Sequence, residues 1–552
     1  MANCLKSSPS RDSAMTNINV LVIGLWGYPG GWHRARYIPV VPNDKRCVGK
    51  PSCWVPGEGI DSYSTTIVEA VALKRLGFEI HLRIYGLDTL ATPPRPSSGK
   101  QPGKAVEGDP RAKLVEEVGR RVEGSLCSDH IEYNDVVEVA RWVLERFTDM
   151  YTKEVGEQLA ASVSVLPGIG VYRACSNLRR FVYRGSPLNT YAALLIDLAD
   201  ALNCVDPDLV VLDISHGVNY LPVLGREAVH KSIRLYSALR GKKVVVAVVN
   251  SDPVQEPGQS SHIHLVELRT YEEKPLELFE STVSDLSMEE LKPRALERVE
   301  PPKEIQELSR VIDYTSKSYT DLMNALTRAS SYGLVLYILT RMAGLDLGEL
   351  ERDISSLEGK VKDALYSRSV RLEGDSVTVE HKYAVTPGVV DLLSALRLLK
   401  RLREAIKLDF KAWEGWVELE LLEKLGGELG LSRIASKILM YEVQDIEKHV
   451  NALETLGVDL SKPLVYNTII QVLNMSLEDA IAREKLREVL MEAEHKARSR
   501  PEQRCQANER HFYAHAGLER NIVEVKKQNG KIYIRYIPAC LELINEIIAK
   551  GG

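Results

Sequence analysis

Two short apolar runs rich in β-branched residues constrain the fold of the N-terminal half. Residues 19–25 (NVLVIGL) and 209–214 (LVVLDI) have the composition of strands that are buried on both faces. A helix is predicted at 61–76, and strand, helix, strand order implies parallel strands. Three more stretches are predicted as strands of the same sheet: 78–85, 243–250 and 262–269. The pattern predicts a Rossmann-like, doubly wound and mostly parallel α/β domain.

Glycine-bearing loops follow the two apolar runs. The first, 26–37 (WGYPGGWHRARY), lacks the glycine spacing of a dinucleotide fingerprint but offers close backbone approach and flat stacking rings. The second begins with Ser215, His216 and Gly217, and a helix is predicted from about residue 218. Both loops fall at the carboxyl edge of the sheet, so one pocket can hold a nucleotide between them. The alternatives are a loop packed by its own aromatic rings and, for Ser215 and His216, nucleophile chemistry.

The C-terminal half is predicted to be mainly α-helical from about residue 271. A linker is expected at 301–302, a small β insert at 370–383, and a hairpin around Asn529-Gly530. Thr386 and Pro387 are suited to the cap and first turn of a helix.

Residues 508–521 (NERHFYAHAGLERN) contain several side chains that can bind phosphate or transfer protons. This stretch is predicted to be part of a helix from Pro501 to Gly517. The Arg510 guanidinium suits a phosphodiester, and a histidine such as His515 can move protons near neutral pH. RNA supplies its own 2′-hydroxyl nucleophile, so this chemistry needs no metal. The five-residue step leaves Arg510 and His515 roughly 140° apart on an ideal helix. They can act together only if the long arginine wraps round, if the helix distorts near its glycine end, or if a second copy of the helix faces the first.

Two alternatives remain for this stretch. His511 and His515 have the i, i+4 spacing of zinc ligands, although Phe512 stands where the glutamate of a zinc-protease helix would be. An ordinary surface helix that carries arginine and histidine is the other.

Composition limits the remaining possibilities. The chain has 552 residues and a net charge of −5, so any contact with nucleic acid must come from a local patch. The sequence contains no apolar run long enough for a membrane span and no signal-peptide core, which predicts a cytoplasmic protein. Eight cysteines without a CxxC pair argue against a zinc ribbon and a dense disulfide scaffold. Cys47 and Cys53 bracket a loop and are candidates for a disulfide.

The motifs resemble two known families. Arg510, His511 and His515 resemble the R-x4-6-H signature of HEPN ribonucleases, which has a polar residue directly after the arginine. The loops after the two apolar runs, with polar residues at 64–66, resemble CARF domains of type III CRISPR ancillary nucleases. That resemblance implies these effector-binding residues: Trp26, Gly27, Pro29, Trp32, Thr65, Ser215, His216, Gly217 and Asn219.

The resemblance implies a metal-independent endoribonuclease that cleaves single-stranded RNA and leaves 2′,3′-cyclic phosphate ends. Arg510 and His515 would be catalytic, with His511 orienting the site. The activator would be a cyclic oligoadenylate, with cyclic tetra-adenylate expected, and the protein a homodimer or higher symmetric oligomer. Four segments are expected: a polar tail (1–18), a CARF domain (19–270), a connector with a possible winged helix (271–330) and a HEPN domain (331–552). The alternative function is a nucleotide-responsive DNA-binding regulator whose HEPN region only dimerises.

Overall fold

A computed structural model describes residues 18–93, 110–217, 220–406, 414–474, 505 and 507–550. The chain forms two compact units, each drawn from separate stretches of sequence. The first comprises residues 1–273, 287–312 and 355–393, and the second comprises residues 274–286, 313–354 and 394–552.

The first unit contains twelve strands of the N-terminal half among its described residues. They are β1 (Asn19–Trp26), β2 (Ala35–Ile38), β3 (Val40–Pro42), β4 (Trp54–Pro56), β5 (Ile60–Ser62), β6 (Glu79–Leu87), β7 (Ala160–Leu166), β8 (Gly170–Ala174), β9 (Arg179–Arg184), β10 (Leu209–Asp213), β11 (Val244–Ser251) and β12 (Ser260–Tyr271). The helices of this stretch are α1 (Thr65–Arg75), α2 (Pro110–Leu126), α3 (Tyr133–Glu154), α4 (Pro187–Val205) and α5 (Leu221–Arg240).

An eight-stranded sheet in the order β5-β2-β12-β11-β10-β1-β6-β7 forms the centre of the first unit. The strands from β11 to β7 are parallel, whereas β12 runs antiparallel to β11. The apolar runs are its central strands because a strand covered on both faces must be apolar throughout: Val20, Val22, Val210 and Val211 are fully buried. The predicted Rossmann-like, mostly parallel sheet is confirmed.

Two predicted helix starts in this unit were wrong. The first helix begins at Thr65 and not at residue 61, because residues 60–62 form the strand β5 and Ser64 caps the helix by accepting a hydrogen bond from Ile67 N. The helix after β10 begins at Leu221, later than predicted. Residues 218 and 219 lie outside the described part of the chain.

A second sheet joins distant parts of the sequence within the first unit. The strands β14 (Ser369–Glu373) and β15 (Ser376–Glu380) form a hairpin, and β15 pairs parallel with β9 in the order β14-β15-β9-β8. Close to this hairpin, Arg368 makes an ion pair with Asp88, and both side chains are almost completely buried. Residues 355–393 therefore pack in the first unit, although the predicted segments assign them to the C-terminal domain. A two-stranded pair, β13 (Arg294–Ala295) with β16 (Tyr383–Ala384), also belongs here.

The second unit is mainly helical. Helices with all or part of their residues in it are α6 (Pro275–Ser284), α7 (Lys303–Ser331), α8 (Val335–Ala343), α9 (Leu347–Tyr366), α10 (Pro387–Ala405), α11 (Leu419–Leu429), α12 (Arg433–Thr455), α13 (Tyr466–Leu473), α14 (Glu509–Ala514) and α15 (Leu541–Lys550). None of the helices described in either unit is both long enough and apolar enough to cross a membrane.

One four-stranded antiparallel sheet accompanies these helices. Its strands are β17 (Val417–Glu418), β18 (Leu464–Val465), β19 (Val523–Gln528) and β20 (Lys531–Tyr536), in the order β17-β20-β19-β18. The predicted hairpin is confirmed. Asn529 and Gly530 form its turn with φ of 53° and 78°, the left-handed conformation that a two-residue type I′ turn requires.

Three disulfides lie within the described residues. The candidate pair Cys47–Cys53 is bonded, and so are Cys127–Cys175 and Cys505–Cys540. The second and third pairs were not predicted, because their partners are 48 and 35 residues apart and meet only after folding.

Candidate functional site

The loops that follow β1 and β10 are joined to each other in the first unit. Gly27 N donates a hydrogen bond to the His216 carbonyl oxygen at 2.7 Å. The Trp32 ring stacks on the His216 imidazole, with centroids 3.9 Å apart and planes 16° from parallel. Trp32 also meets Trp26 edge to face at 5.0 Å. The two loops therefore form one continuous surface, as expected where parallel strands end at the same edge of a sheet.

Asp213, the last residue of β10, organises this surface. Its buried carboxylate accepts hydrogen bonds from the Thr65 and Thr66 hydroxyls, each at 2.6 Å. Its other oxygen accepts from Ser215 N at 2.9 Å and from Ser215 Oγ at 2.5 Å. Asp213 was not among the predicted site residues. Its position two residues before Ser215, as the one acid at the end of an apolar run, was the signal that could have identified it.

His216 is a neutral hydrogen-bond acceptor. Thr65 N donates to His216 Nε2 at 3.3 Å, so that nitrogen carries no proton. Burial lowers the pKa of the His216 imidazole to about 4, and the nearby Asp213 carboxylate only partly opposes that shift. At neutral pH the ring is uncharged and presents a flat face beside Trp32.

The structure divides the predicted effector-binding residues into two groups. Trp32, Ser215, His216 and Gly217 are half-buried and reach the surface of the loops, whereas Trp26, Gly27, Pro29 and Thr65 are buried and support it. Asn219 lies outside the described residues. Gly217 has a packing reason to be glycine, because a Cβ there would lie 2.3 Å from Pro222 Cγ.

A positive charge lies beside the same loops. Arg111, near the start of α2, donates to the Trp32 carbonyl, and its guanidinium lies 4.2 Å from the centroid of the Tyr63 ring. Arg111 was not among the predicted site residues. It follows a proline- and glycine-rich segment, and only folding brings it to the loops.

The reactive stretch of the second unit is shorter than predicted. The helix α14 has six residues and begins after Asn508, whose side chain accepts a hydrogen bond from His511 N at 3.3 Å. Asparagine is a preferred N-cap, and residues 507 and 508 are not helical, so the helix does not continue from residue 501 as predicted. Pro501 and Glu502 lie outside the described residues.

The C-terminal end of this helix follows the prediction more closely. Gly517 has a φ of 77°, the left-handed conformation that was expected, and Ala516 before it has a φ of 47°. Phe512 is fully buried and anchors the helix to the unit. Arg510, His511 and His515 are all exposed.

His515 is oriented by an acid from another helix. Its Nδ1 lies 2.9 Å from Glu442 Oε1 on α12, and the Glu442 side chain is only 18% exposed. The His511 ring lies beside His515, edge to face, with centroids 6.1 Å apart. Glu442 was missed by the sequence analysis because it is one of many charged residues on an amphipathic helix, and 73 residues separate it from His515.

The Arg510 guanidinium has no partner among the residues that the structure describes. It makes no hydrogen bond or ion pair there, and none joins it to His515. An exposed guanidinium can hold a phosphodiester, and an oriented imidazole can transfer the protons that its cleavage requires. Both groups must reach the same phosphate.

Comparison with known proteins found matches over the stretches that contain both groups of loops and helices. Residues 21–253 match the family model described as "CRISPR system endoribonuclease Csx1, CARF domain", and residues 432–538 match the corresponding HEPN domain. The chain belongs to the CARF–HEPN family. A CRISPR system endoribonuclease Csx1 from Methanocaldococcus jannaschii is 30% identical over 140 residues, which are 25% of this chain and 29% of that protein.

The CARF match includes both loops, Asp213 and Arg111, and the HEPN match includes Glu442, α14 and the hairpin. We call the first compact unit the CARF unit and the second the HEPN unit. The resemblance that the two motifs suggested is confirmed.

Proposed function

We propose that this protein is a metal-independent endoribonuclease that cleaves single-stranded RNA when a cyclic oligoadenylate binds its CARF unit. The observation that carries the nuclease assignment is the HEPN geometry: His515 is held by Glu442 at 2.9 Å, and Arg510, five residues earlier, is exposed. Membership of a CRISPR-associated CARF–HEPN family supports the substrate and effector classes.

In the proposed reaction His515 transfers protons and Arg510 stabilises negative charge. Glu442 accepts a hydrogen bond from Nδ1–H of His515, which leaves Nε2 to take the proton of the attacking 2′-hydroxyl and to give it to the 5′-oxygen as that oxygen leaves. Arg510 stabilises the charge on the phosphoryl oxygens. The 2′-oxygen forms a bond to phosphorus as the bond to the 5′-oxygen breaks, which gives a 2′,3′-cyclic phosphate and a 5′-hydroxyl.

The site is proposed to form between two copies of the chain. On an ideal helix Arg510 and His515 would be roughly 140° apart, and in the structure His515 is the C-cap of the six-residue α14, with no hydrogen bond or ion pair to Arg510 among the described residues. Two HEPN units related by a two-fold axis can place Arg510 of one copy opposite His515 of the other. We therefore propose a homodimer or a higher symmetric oligomer.

The CARF unit offers a surface suited to an adenine-containing ring. Trp32 and the neutral His216 provide flat rings for stacking, and Arg111 provides positive charge for phosphates. The Asp213 carboxylate is covered by four hydrogen bonds, so it presents little repulsion to an anion. Effector binding would change the population of active HEPN dimers.

An RNA cleavage assay tests this proposal. Labelled single-stranded RNA is incubated with cyclic tri-, tetra- or hexa-adenylate, with and without EDTA. We expect cleavage with one ring size, cyclic tetra-adenylate, unaffected by the chelator. No cleavage with any ring would overturn the nuclease assignment and favour the DNA-binding regulator, and cleavage lost with EDTA would overturn metal independence.

A further inference from the structure

The four-stranded sheet of the HEPN unit has two different faces. One face packs inward: Val417, Val525 and Ile534 come from three strands and are at most 1% exposed. The register places Lys526 opposite Tyr533 on the other face. Trp416, directly before β17, and Arg535 belong to that outer face as well.

Two cations on this outer face lie over aromatic rings. Lys526 Nζ is 4.4 Å from the centroid of the Trp416 ring and 5.8 Å from that of Tyr533. The Arg535 guanidinium is also 4.4 Å from the Trp416 centroid. We call these four half-buried residues, Trp416, Lys526, Tyr533 and Arg535, the aromatic sheet face.

The charges on the face are unevenly neutralised. Arg535 makes an ion pair with Glu524 at 2.8 Å, and the neighbouring Lys531 makes one with Glu418 at 2.8 Å. Lys526 makes no ion pair with any residue that the structure describes. The face therefore has one uncompensated positive charge, and it lies between two rings.

We propose that the aromatic sheet face binds single-stranded RNA, as a holding site separate from Arg510 and His515. Single-stranded nucleic acid is held by aromatic or guanidinium planes that stack on bases and by cations that contact the backbone. The outer plane of Arg535 and the ring of Tyr533 would stack on bases, while Lys526 contacts a phosphate. Diagonal neighbours on a sheet lie about 7–8 Å apart, within the reach of successive bases of an extended strand. This inference rests on RNA being the substrate.

Direct RNA binding tests the inference without requiring cleavage. Fluorescence anisotropy of a labelled oligoribonucleotide is measured with the full chain carrying H515A, alone and combined with W416A, W416F or K526Q. We expect W416A to weaken binding about tenfold, because Arg535 loses the ring that holds its plane in position to stack on a base, and W416F to weaken it less. K526Q should lower the slope of log affinity against log salt concentration by about 0.7, as for one phosphate contact in a single strand.

Matched controls come from exposed residues elsewhere in the HEPN unit. Tyr314 is 53% exposed and the Lys424 side chain is 70% exposed, so Y314A and K424Q should leave both affinity and salt slope unchanged. Thermal unfolding checks that each variant is folded. K526Q changes a half-buried cation that makes no ion pair with the described residues, and it keeps the test valid if W416A fails to fold.

The outcomes separate this inference from the nuclease proposal. If the wild type cleaves no RNA but the face variants weaken RNA binding, the nuclease assignment fails and the holding site stands. Equal affinity and equal salt slope in all folded variants would overturn the holding site, whatever the cleavage assay shows. A loss of oligomer mass with unchanged RNA affinity would show instead a contact between copies of the chain.

Discussion

His515 Nδ1 and Glu442 Oε1 lie 2.9 Å apart in the HEPN unit, although 73 residues separate them in sequence. The carboxylate fixes which nitrogen of the ring faces outward and stabilises the protonated imidazole when it forms. A histidine held in this way is suited to proton transfer, whereas a histidine on a free surface helix would rotate. The contact therefore links the fold of α12 to the proposed chemistry of α14.

Removing the charge of Glu442 is expected to slow cleavage without weakening RNA binding. E442Q keeps the shape but no longer stabilises the imidazolium, so kcat should fall about 10- to 100-fold, less than the 10²–10⁴ typical of an acid–base residue itself. E447Q, an exposed glutamate on the same helix, is the control. Single-turnover rates and the pH profile of cleavage provide the measurement. An unchanged rate and profile in E442Q would remove Glu442 from the mechanism.

Asp213 is expected to hold in place the loops that follow β1 and β10. In D213N the amide nitrogen cannot accept the hydrogen bonds that one carboxylate oxygen now accepts, which should cost about 1–3 kcal/mol of unfolding free energy. Effector binding should weaken at the same time, because either Ser215 or the pair Thr65 and Thr66 loses its acceptor oxygen. D252N, at a half-exposed side chain, is the control. Calorimetric titration with cyclic tetra-adenylate would contradict this account if D213N bound it as tightly as the wild type.

His216 gives the CARF unit a predictable dependence on pH. Its pKa is lowered from 6.5 to about 4 in the folded chain, so between these values the unfolded chain binds a proton that the folded chain does not. The free energy of unfolding should therefore fall as pH drops from 6.5 toward 4. Thermal unfolding at pH 7.5 and pH 5 should show a smaller difference in H216Q than in the wild type or in H264Q, an exposed control. An equal difference in all three proteins would contradict a lowered pKa of His216 in the folded chain.

The sequence predicted what depends on local pattern. The central strands, the Asn529-Gly530 turn and the left-handed Gly517 follow from composition and from glycine stereochemistry. The long helix predicted from residue 501 was wrong because the Asn508 cap, a local signal within the same stretch, was not weighed against the helical pattern.

Contacts between residues far apart in sequence could not be predicted from local sequence patterns. The pairing of β15 with β9, the buried Asp88–Arg368 ion pair and the Glu442–His515 contact each join residues far apart in sequence. None has a spacing or a composition that distinguishes it from ordinary strands and charged helices. For the candidate site, the motif residues were therefore predictable, but the residues that position them were not.

Both catalytic candidates are expected to be essential. R510A and H515A should each reduce cleavage at least about a thousandfold, because each removes a distinct source of transition-state stabilisation. Effector binding to the CARF unit should be unchanged in both. H511A should retain partial activity, since His511 only neighbours His515. Cleavage by purified R510A or H515A at the wild-type rate would refute their assignment.

Mixing two inactive variants tests the shared site most directly. R510A and H515A are dissociated, mixed in equal amounts and reassembled, and effector-dependent RNA cleavage is measured. If each site takes Arg510 from one copy and His515 from the other, half of the dimers are mixed and each has one intact site. The account predicts recovery of about a quarter of the wild-type activity. No recovery in a sample whose mixed dimers are demonstrated would contradict it.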